Sequence, residues 1–160
     1  MERKHSAEIC SDRRGLLKAG AVIGMASLAS CIWTPESLAA GEPLSERPGI
    51  AAGRFGGMSC AEALALTYGD LVGLDEKRAK GLGAGFGLGM RRKQTCGAVT
   101  VMLMLAGMGG KGGECSKMMD DFEKANGSIQ CAYFVDQFGY SRCKDLLRFA
   151  GGQLNSRVFG

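Results

Sequence analysis

An all-α fold, a compact bundle of about five helices after an N-terminal signal segment, is what this sequence predicts, on three observations. Ser59-Cys60-Ala61-Glu62 is a capping box, in which serine and glutamate reciprocally bind the free backbone N–H groups of a helix start. The run from Val99 to Ala106 is apolar on every side and reads as a buried central helix. Val99 and Val101 also suit a strand, but alternation is absent and the run is long. Asn126-Gly127 is a helix-ending pair.

Taken in chain order, residues 1–40 read as an export signal. Asp12-Arg13-Arg14-Gly15-Leu16-Leu17-Lys18 is close to the twin-arginine pattern, with Arg13 and Arg14 as the pair that the export machinery reads. The apolar stretch from Ala19 to Trp33 is too short and too weakly hydrophobic to anchor as a membrane-spanning helix. Small residues at Ser37 and Ala39 suit cleavage by an ordinary signal peptidase, which would release a soluble product. Leu28-Ala29-Ser30-Cys31 also fits a lipobox, which would lipidate Cys31 and tether the protein to a membrane. The expected location is periplasmic or otherwise extracytoplasmic. Twin-arginine export carries folded proteins, a route that suits cofactor insertion before export.

Residues 41–57 read as a polar, turn-rich linker, residues 58–154 as a helical cysteine-rich domain and 155–160 as a tail. In the domain, Cys60 opens a helix whose apolar face continues through Leu64, Tyr68, Leu71 and Val72 to Gly73. A shorter helix runs from about Asp75 to Leu82 and is ended by the glycines between Gly81 and Gly89. The central helix begins after Thr95, its expected N-cap, with Cys96 at the first helical position. Gly107 to Gly113 is a connection, and Glu114 to Ala125 a fourth helix. Cys131 takes a short helical turn, and Cys143 leads a last helix through Leu146, Leu147 and Phe149. Met102, Met104, Met108, Met118 and Met119 are expected to fill the core.

Beyond residue 40, fifteen Lys and Arg face twelve Asp and Glu. That balance is too weak, and too poor in interleaved aromatics, for nucleic-acid binding. The only histidine, His5, lies in the signal, so the exported part has no imidazole for a Ser-His or Cys-His pair, a Cys/His zinc site or a haem. Five cysteines remain there, and no C-x-x-C occurs. An odd number suits four ligands plus one spare better than a disulfide framework.

Cys60, Cys96, Cys131 and Cys143 all stand at expected element ends, whereas Cys115 follows a glycine-rich loop and reads as the spare. A thiol at a helix N-terminus is favoured as thiolate by the orphan N–H groups and the dipole. Arg91, Arg92 and Lys93 are unfavourable beside such a terminus unless something negative is near. A cluster held by four thiolates would supply that charge, and a solvated basic loop is the plain alternative. Gly85, Gly87 and Gly89 form neither a dinucleotide fingerprint nor a P-loop, and imply close backbone approach to a neighbouring helix or a bound cluster. Each cysteine alone also suits a small core hydrophobe.

Ser59-Cys60-Ala61-Glu62-Ala63, Gly73-Leu74-Asp75, Gly85-Phe86-Gly87, Thr95-Cys96-Gly97-Ala98-Val99-Thr100, Gly127-Ser128-Ile129-Gln130-Cys131 and Cys143-Lys144-Asp145-Leu146-Leu147, in that order, resemble the redox-active family named C_GCAxxG_C_C. The resemblance covers about residues 55–150. It departs at Val101, where the family has glycine. The resemblance implies a redox or metal role for Cys60, Cys96, Cys131 and Cys143. A similar domain in split-Soret cytochromes accompanies an iron–sulfur centre, and this chain lacks the haem motifs.

The leading expectation is an exported protein that binds an iron–sulfur cluster of the [2Fe–2S] type through those four cysteines and passes electrons to a redox protein partner. One alternative is a metal-free thiol–disulfide protein cycling Cys96 with Cys60 or Cys131. The other is a structural or partner-binding domain with buried or disulfide-bonded cysteines. The spacing of the four cysteines permits convergence without requiring it, and no catalytic residue is singled out.

Overall fold

A computed structural model describes residues 41–160, in which seven α-helices follow one another: α1 (Arg47–Arg54), α2 (Cys60–Tyr68), α3 (Glu76–Ala84), α4 (Gly97–Met108), α5 (Cys115–Asn126), α6 (Cys131–Phe138) and α7 (Cys143–Leu154). Among the described residues there is no strand, only isolated bridges pairing Phe55 with Met58 and Thr95 with Gln130. The fold is all-α, as expected. Helices α1 and α6 raise the count above the expected five. The export readings at Arg13, Arg14 and Cys31 lie outside the described residues. No helix among the described residues is long and apolar enough to cross a membrane.

Helix α1 occupies the segment expected to be linker. Pro48 in its first turn pre-sets the backbone, and Ala51 and Ala52 bury fully on its inner side. Its anchor is Arg47, only 2% exposed. The Arg47 guanidinium donates to both carboxylate oxygens of Asp70, at 2.6 and 2.7 Å, and to the carbonyl of Thr67, while Nε donates to the Glu42 carbonyl at 2.8 Å. A buried charge is tolerable only when satisfied in this way. Turn-rich composition concealed α1, because its stability comes from this polar anchor and from small side chains.

The capping box at α2 forms as expected: Ser59 Oγ accepts from the Glu62 N–H at 3.2 Å, and Glu62 accepts from the Ser59 N–H at 3.1 Å. Ala61, Ala63 and Ala65 are wholly buried, which lets α1, α3 and α4 pack closely around α2. The approach of α3 is tightest at Gly83, where a Cβ would lie 2.4 Å from Glu62 Cα. Asp75 caps α3 by accepting from the Arg78 N–H at 2.8 Å.

Helix α4 is the central one. Val99, Val101, Met102, Leu105 and Ala106 are completely buried among α2, α5 and α7. Val101, where the resembled family has glycine, therefore fills core volume. Met102 and Met118 are buried as expected, but Met108, on the last turn of α4, is exposed. Gly127 ends α5 with φ +88°, the left-handed cap that Asn126-Gly127 suggested.

The expected tail is not free. It continues α7 as a wide turn over Asn155–Phe159, with Val158 buried and Phe159 stacked on Tyr68 at 6.1 Å between ring centroids. Asn155 donates to the Leu44 carbonyl and accepts from the Tyr68 hydroxyl at 2.9 Å, so both ends of the described chain share one network.

Asp70→Ala leaves the buried Arg47 charge without its carboxylate, a loss expected to cost about 2 kcal/mol because Asp70 itself is half exposed. The Arg47 hydrogen bond holds the Asp70 carboxyl below its ordinary range. Its contribution is thus complete above the ordinary carboxylate pKa and is lost as pH falls through the lower, folded value. Urea unfolding should show the full gap between parent and variant at pH 7 and a narrowing gap in strong acid.

Candidate functional site

Five helices begin at or beside a cysteine; all five thiols are free of disulfides, and all but that of Cys115 are buried. Cys60, Cys131 and Cys143 are the first residues of α2, α6 and α7, and Cys96 is the N-cap of α4. The expected order at α4 is thus shifted by one, with Thr95 outside the helix. Thr95 instead pairs with Gln130, while the Cys96 N–H donates to the Ile129 carbonyl at 2.8 Å and the Cys131 N–H to the Gln94 carbonyl at 2.6 Å. These reciprocal bonds lock the stretches before α4 and α6 side by side and hold Cys96 and Cys131 in register.

Cys60, Cys131 and Cys143 line one cavity of about 130 Å³, whose other walls include Phe55, Leu88, Val135 and Tyr140. Cys96 does not line that cavity but stands beside Cys60, near enough for the two thiols to perturb each other's ionisation. The contact depends on Gly97. A Cβ there would meet the Phe86 carbonyl oxygen at 2.6 Å and Cys60 Sγ at 3.0 Å. Cys115 stands apart at the start of α5, donating weakly to the Leu103 carbonyl at 3.6 Å. A wider cleft of about 370 Å³ beside Arg54, Asp70 and Glu76 contains no thiol.

The glycine-rich loop contributes through its backbone. At Gly89 a Cβ would lie 2.8 Å from Cys131 Cβ, and at Gly87 2.7 Å from Ser59 Cβ, whereas Gly85 faces open space. After Gly87 the chain turns left-handed: Leu88, Gly89, Met90 and Arg91 have φ of 52°, 55°, 56° and 58°. For non-glycine residues this costs about 1–2 kcal/mol each. The turn brings the Leu88 N–H to the sulfur of Cys60, which also receives the N–H groups of Ala61 and Ala98. Nothing in residue types alone announces Leu88, Phe55 or Tyr140 as site residues, since Leu88 acts through its backbone.

Electrostatics divide the four thiols. The hydrogen bond from Cys96, aided by the backbone N–H groups and opposed by burial, lowers Cys60 to about 7. Cys96, donating to Cys60 and buried, is pushed well above the ordinary thiol value. The pair therefore gives up its first proton readily and holds the second. Burial dominates elsewhere: it raises Cys131, and it raises Cys143 to about 12 with the help of Cys60 and Cys131. Lys93 forms an ion pair with Asp136 at 2.5 Å, while Arg91 and Arg92 are exposed.

The donor set consists of four soft sulfur ligands with no imidazole, a composition that suits iron–sulfur or thiol–disulfide chemistry. Among the described residues no three His, Cys, Asp or Glu side chains gather closely enough to hold a metal ion as they stand. The arrangement does not fit a mononuclear site. A cluster would spread its ligands over more than one iron; Cys60, Cys131 and Cys143 border the cavity, and Cys96 stands outside it.

A family model described as "Putative redox-active protein (C_GCAxxG_C_C)" matches residues 58–157, a span that contains all four site cysteines and Cys115. The expected similarity to split-Soret cytochromes is not part of that match. No curated protein and no solved structure matches the chain.

Gly97→Ala should push Cys60 away from Cys96 and cost about 1–3 kcal/mol in stability by overpacking. Urea unfolding reads the loss. Mass mapping after iodoacetamide treatment should show Cys60 alkylated at neutral pH more slowly than in the parent, because its hydrogen-bond donors have moved off.

Proposed function

The chain belongs to the C_GCAxxG_C_C family of redox-active proteins, and on that premise we propose that it is an exported electron-transfer protein holding an iron–sulfur cluster of the [2Fe–2S] type through Cys60, Cys96, Cys131 and Cys143. One observation carries the reading: thiols from separate helix starts gather about one cavity, with Cys60, Cys131 and Cys143 lining it and Cys96 beside Cys60. When bound, such a cluster takes up and gives back single electrons.

The chain's own groups suit that task. Four helix N-termini favour negative charge on the sulfurs. The N–H groups of Leu88, Ala61 and Ala98 donate to the Cys60 sulfur, the kind of bond that raises a cluster potential. Phe55, Leu88, Val135 and Tyr140 give the cavity a largely apolar wall. Ligation requires the thiols to lose their protons, so cluster retention weakens as pH falls. The twin-arginine motif at Arg13 and Arg14 suits a protein that is loaded before export, soluble or tethered at Cys31. Its partner is then an extracytoplasmic redox protein.

A second reading is favoured by the Cys60–Cys96 contact and the lowered Cys60 thiol. In it the two thiols carry the chemistry without metal. The Cys60 thiolate attacks a disulfide of the partner, and the Cys96 thiolate then displaces the mixed disulfide. A Cys60–Cys96 bond forms, two protons are released from this chain, and the partner's disulfide takes two electrons and two protons to become two thiols.

Protein purified without oxygen should contain iron and acid-labile sulfide in similar amounts and absorb visible light. Serine at Cys60, Cys96, Cys131 or Cys143 should remove most of the iron, and serine at Cys115 should leave it in place. Colourless, iron-free protein of full helicity rules out the cluster. The thiol reading then requires a Cys60–Cys96 disulfide on mild oxidation and Cys60 alkylation that accelerates as pH rises through about 7. Replacement of Arg13 and Arg14 by lysine should hold the chain in the cytoplasm, as cell fractionation would read.

A further inference from the structure

Five large hydrophobic side chains are exposed among the described residues; of these Tyr140 lines the thiol cavity, and Met90 and Phe138 stand two positions from its lining residues Leu88 and Tyr140. Tyr140 lines the cavity directly and is 58% exposed. Met90 follows the lining residue Leu88 by two positions, in the turn against which α6 packs. Phe138 ends α6 and carries the Arg142 guanidinium over its ring at 5.7 Å.

The charge on this rim is mainly positive, with Glu62, held by the lining residue Ser59, the carboxylate within Coulombic range of Arg91. Asp136 is already paired with Lys93 and Asp145 with Arg148, which leaves Arg91, Arg92 and Arg142 without an ion-paired carboxylate among the described residues. Arg142 also buries an Nε that has no hydrogen-bond partner. Backbone strain is concentrated on the same lip, where Leu88, Met90, Arg91 and Lys93 all have positive φ. Strain of this kind persists where the surroundings impose it, and functional sites are its usual home.

Exposed Met, Phe, Tyr and Arg together have the composition of a protein-binding centre. Three guanidiniums are fewer than the roughly four to eight clustered basic residues by which segments bind anionic lipid. We propose that this rim docks the acidic face of a one-electron carrier protein directly over the cavity lined by Cys60, Cys131 and Cys143. The proposal rests on the electron-transfer reading above. In the docked pair one electron leaves the reduced centre of one protein and enters the oxidised centre of the other, and no atom changes hands.

Two probes test it on the purified chain. Amide shifts on titration with poly-L-glutamate should move at Met90, Arg91, Arg92, Phe138 and Tyr140 and fade with added salt. The reduced protein should be oxidised faster by hexacyanoferrate(III) than by hexaamminecobalt(III). Arg91→Glu with Arg92→Glu should lower that rate ratio about tenfold. Lys117→Glu with Lys124→Glu, the same charge change on α5, should alter it less than about twofold.

Equal effects of the two double variants, or shifts scattered away from the rim, would overturn the proposal. So would Arg91- and Arg92-dependent binding to phosphatidylglycerol vesicles with no response to poly-L-glutamate. Iron and sulfide measured on the same samples report on the cluster separately. Their absence sinks the cluster while the shift map still decides the docking face.

Discussion

Helix starts carry partial positive charge, and bringing four of them to one place is unfavourable unless something negative lies between them. That constraint organises the region around the four thiols. The starts of α2 and α4 approach until only a glycine fits at Gly97, and the starts of α6 and α7 complete the ring around a small cavity. Cysteine answers the constraint at each position. It is small and apolar enough to bury as a thiol, and it supplies an anion once its proton is removed.

Burial and the helix field pull these thiols in opposite directions, and local hydrogen bonds decide the outcome. Cys131 and Cys143 lie at helix starts yet hold their protons, because desolvation outweighs the field. Cys60 alone escapes, with a thiol and three backbone N–H groups directed at its sulfur. One of those N–H groups comes from Leu88, at the entry to the left-handed turn. The turn's conformational cost is offset by the bonds that tie residues 94–96 to 129–131 and by the Lys93–Asp136 pair.

Much of this was legible from residue order. The capping box placed Cys60 at a helix start, the apolar run placed α4 at the centre, and Asn126-Gly127 marked the end of α5. Each signal is local, made by residues within one turn of one another. What stayed hidden depends on distant partners. Helix α1 is held by Arg47 reaching Thr67 and Asp70, which no pattern inside residues 41–57 reveals. The N-cap shift from Thr95 to Cys96 follows from a bridge to Gln130, thirty-five residues away in sequence. Convergence of the thiols is likewise a property of packing, as is the role of Leu88, whose side chain is not what acts.

Asn155 has a consequence of another kind. Its amide grips the Leu44 carbonyl while its carbonyl oxygen takes the Tyr68 hydroxyl, so the first and last described turns are stitched together. A domain whose ends meet is nearly a closed loop, and its connectivity is separable from its architecture. Such a unit suits circular permutation: a short linker from residue 160 to residue 41 would leave the thiol ring undisturbed, with new ends opened in the exposed glycine turn after α4. The same closure makes it a cassette, able to sit within a longer polypeptide without being stretched open by its neighbours.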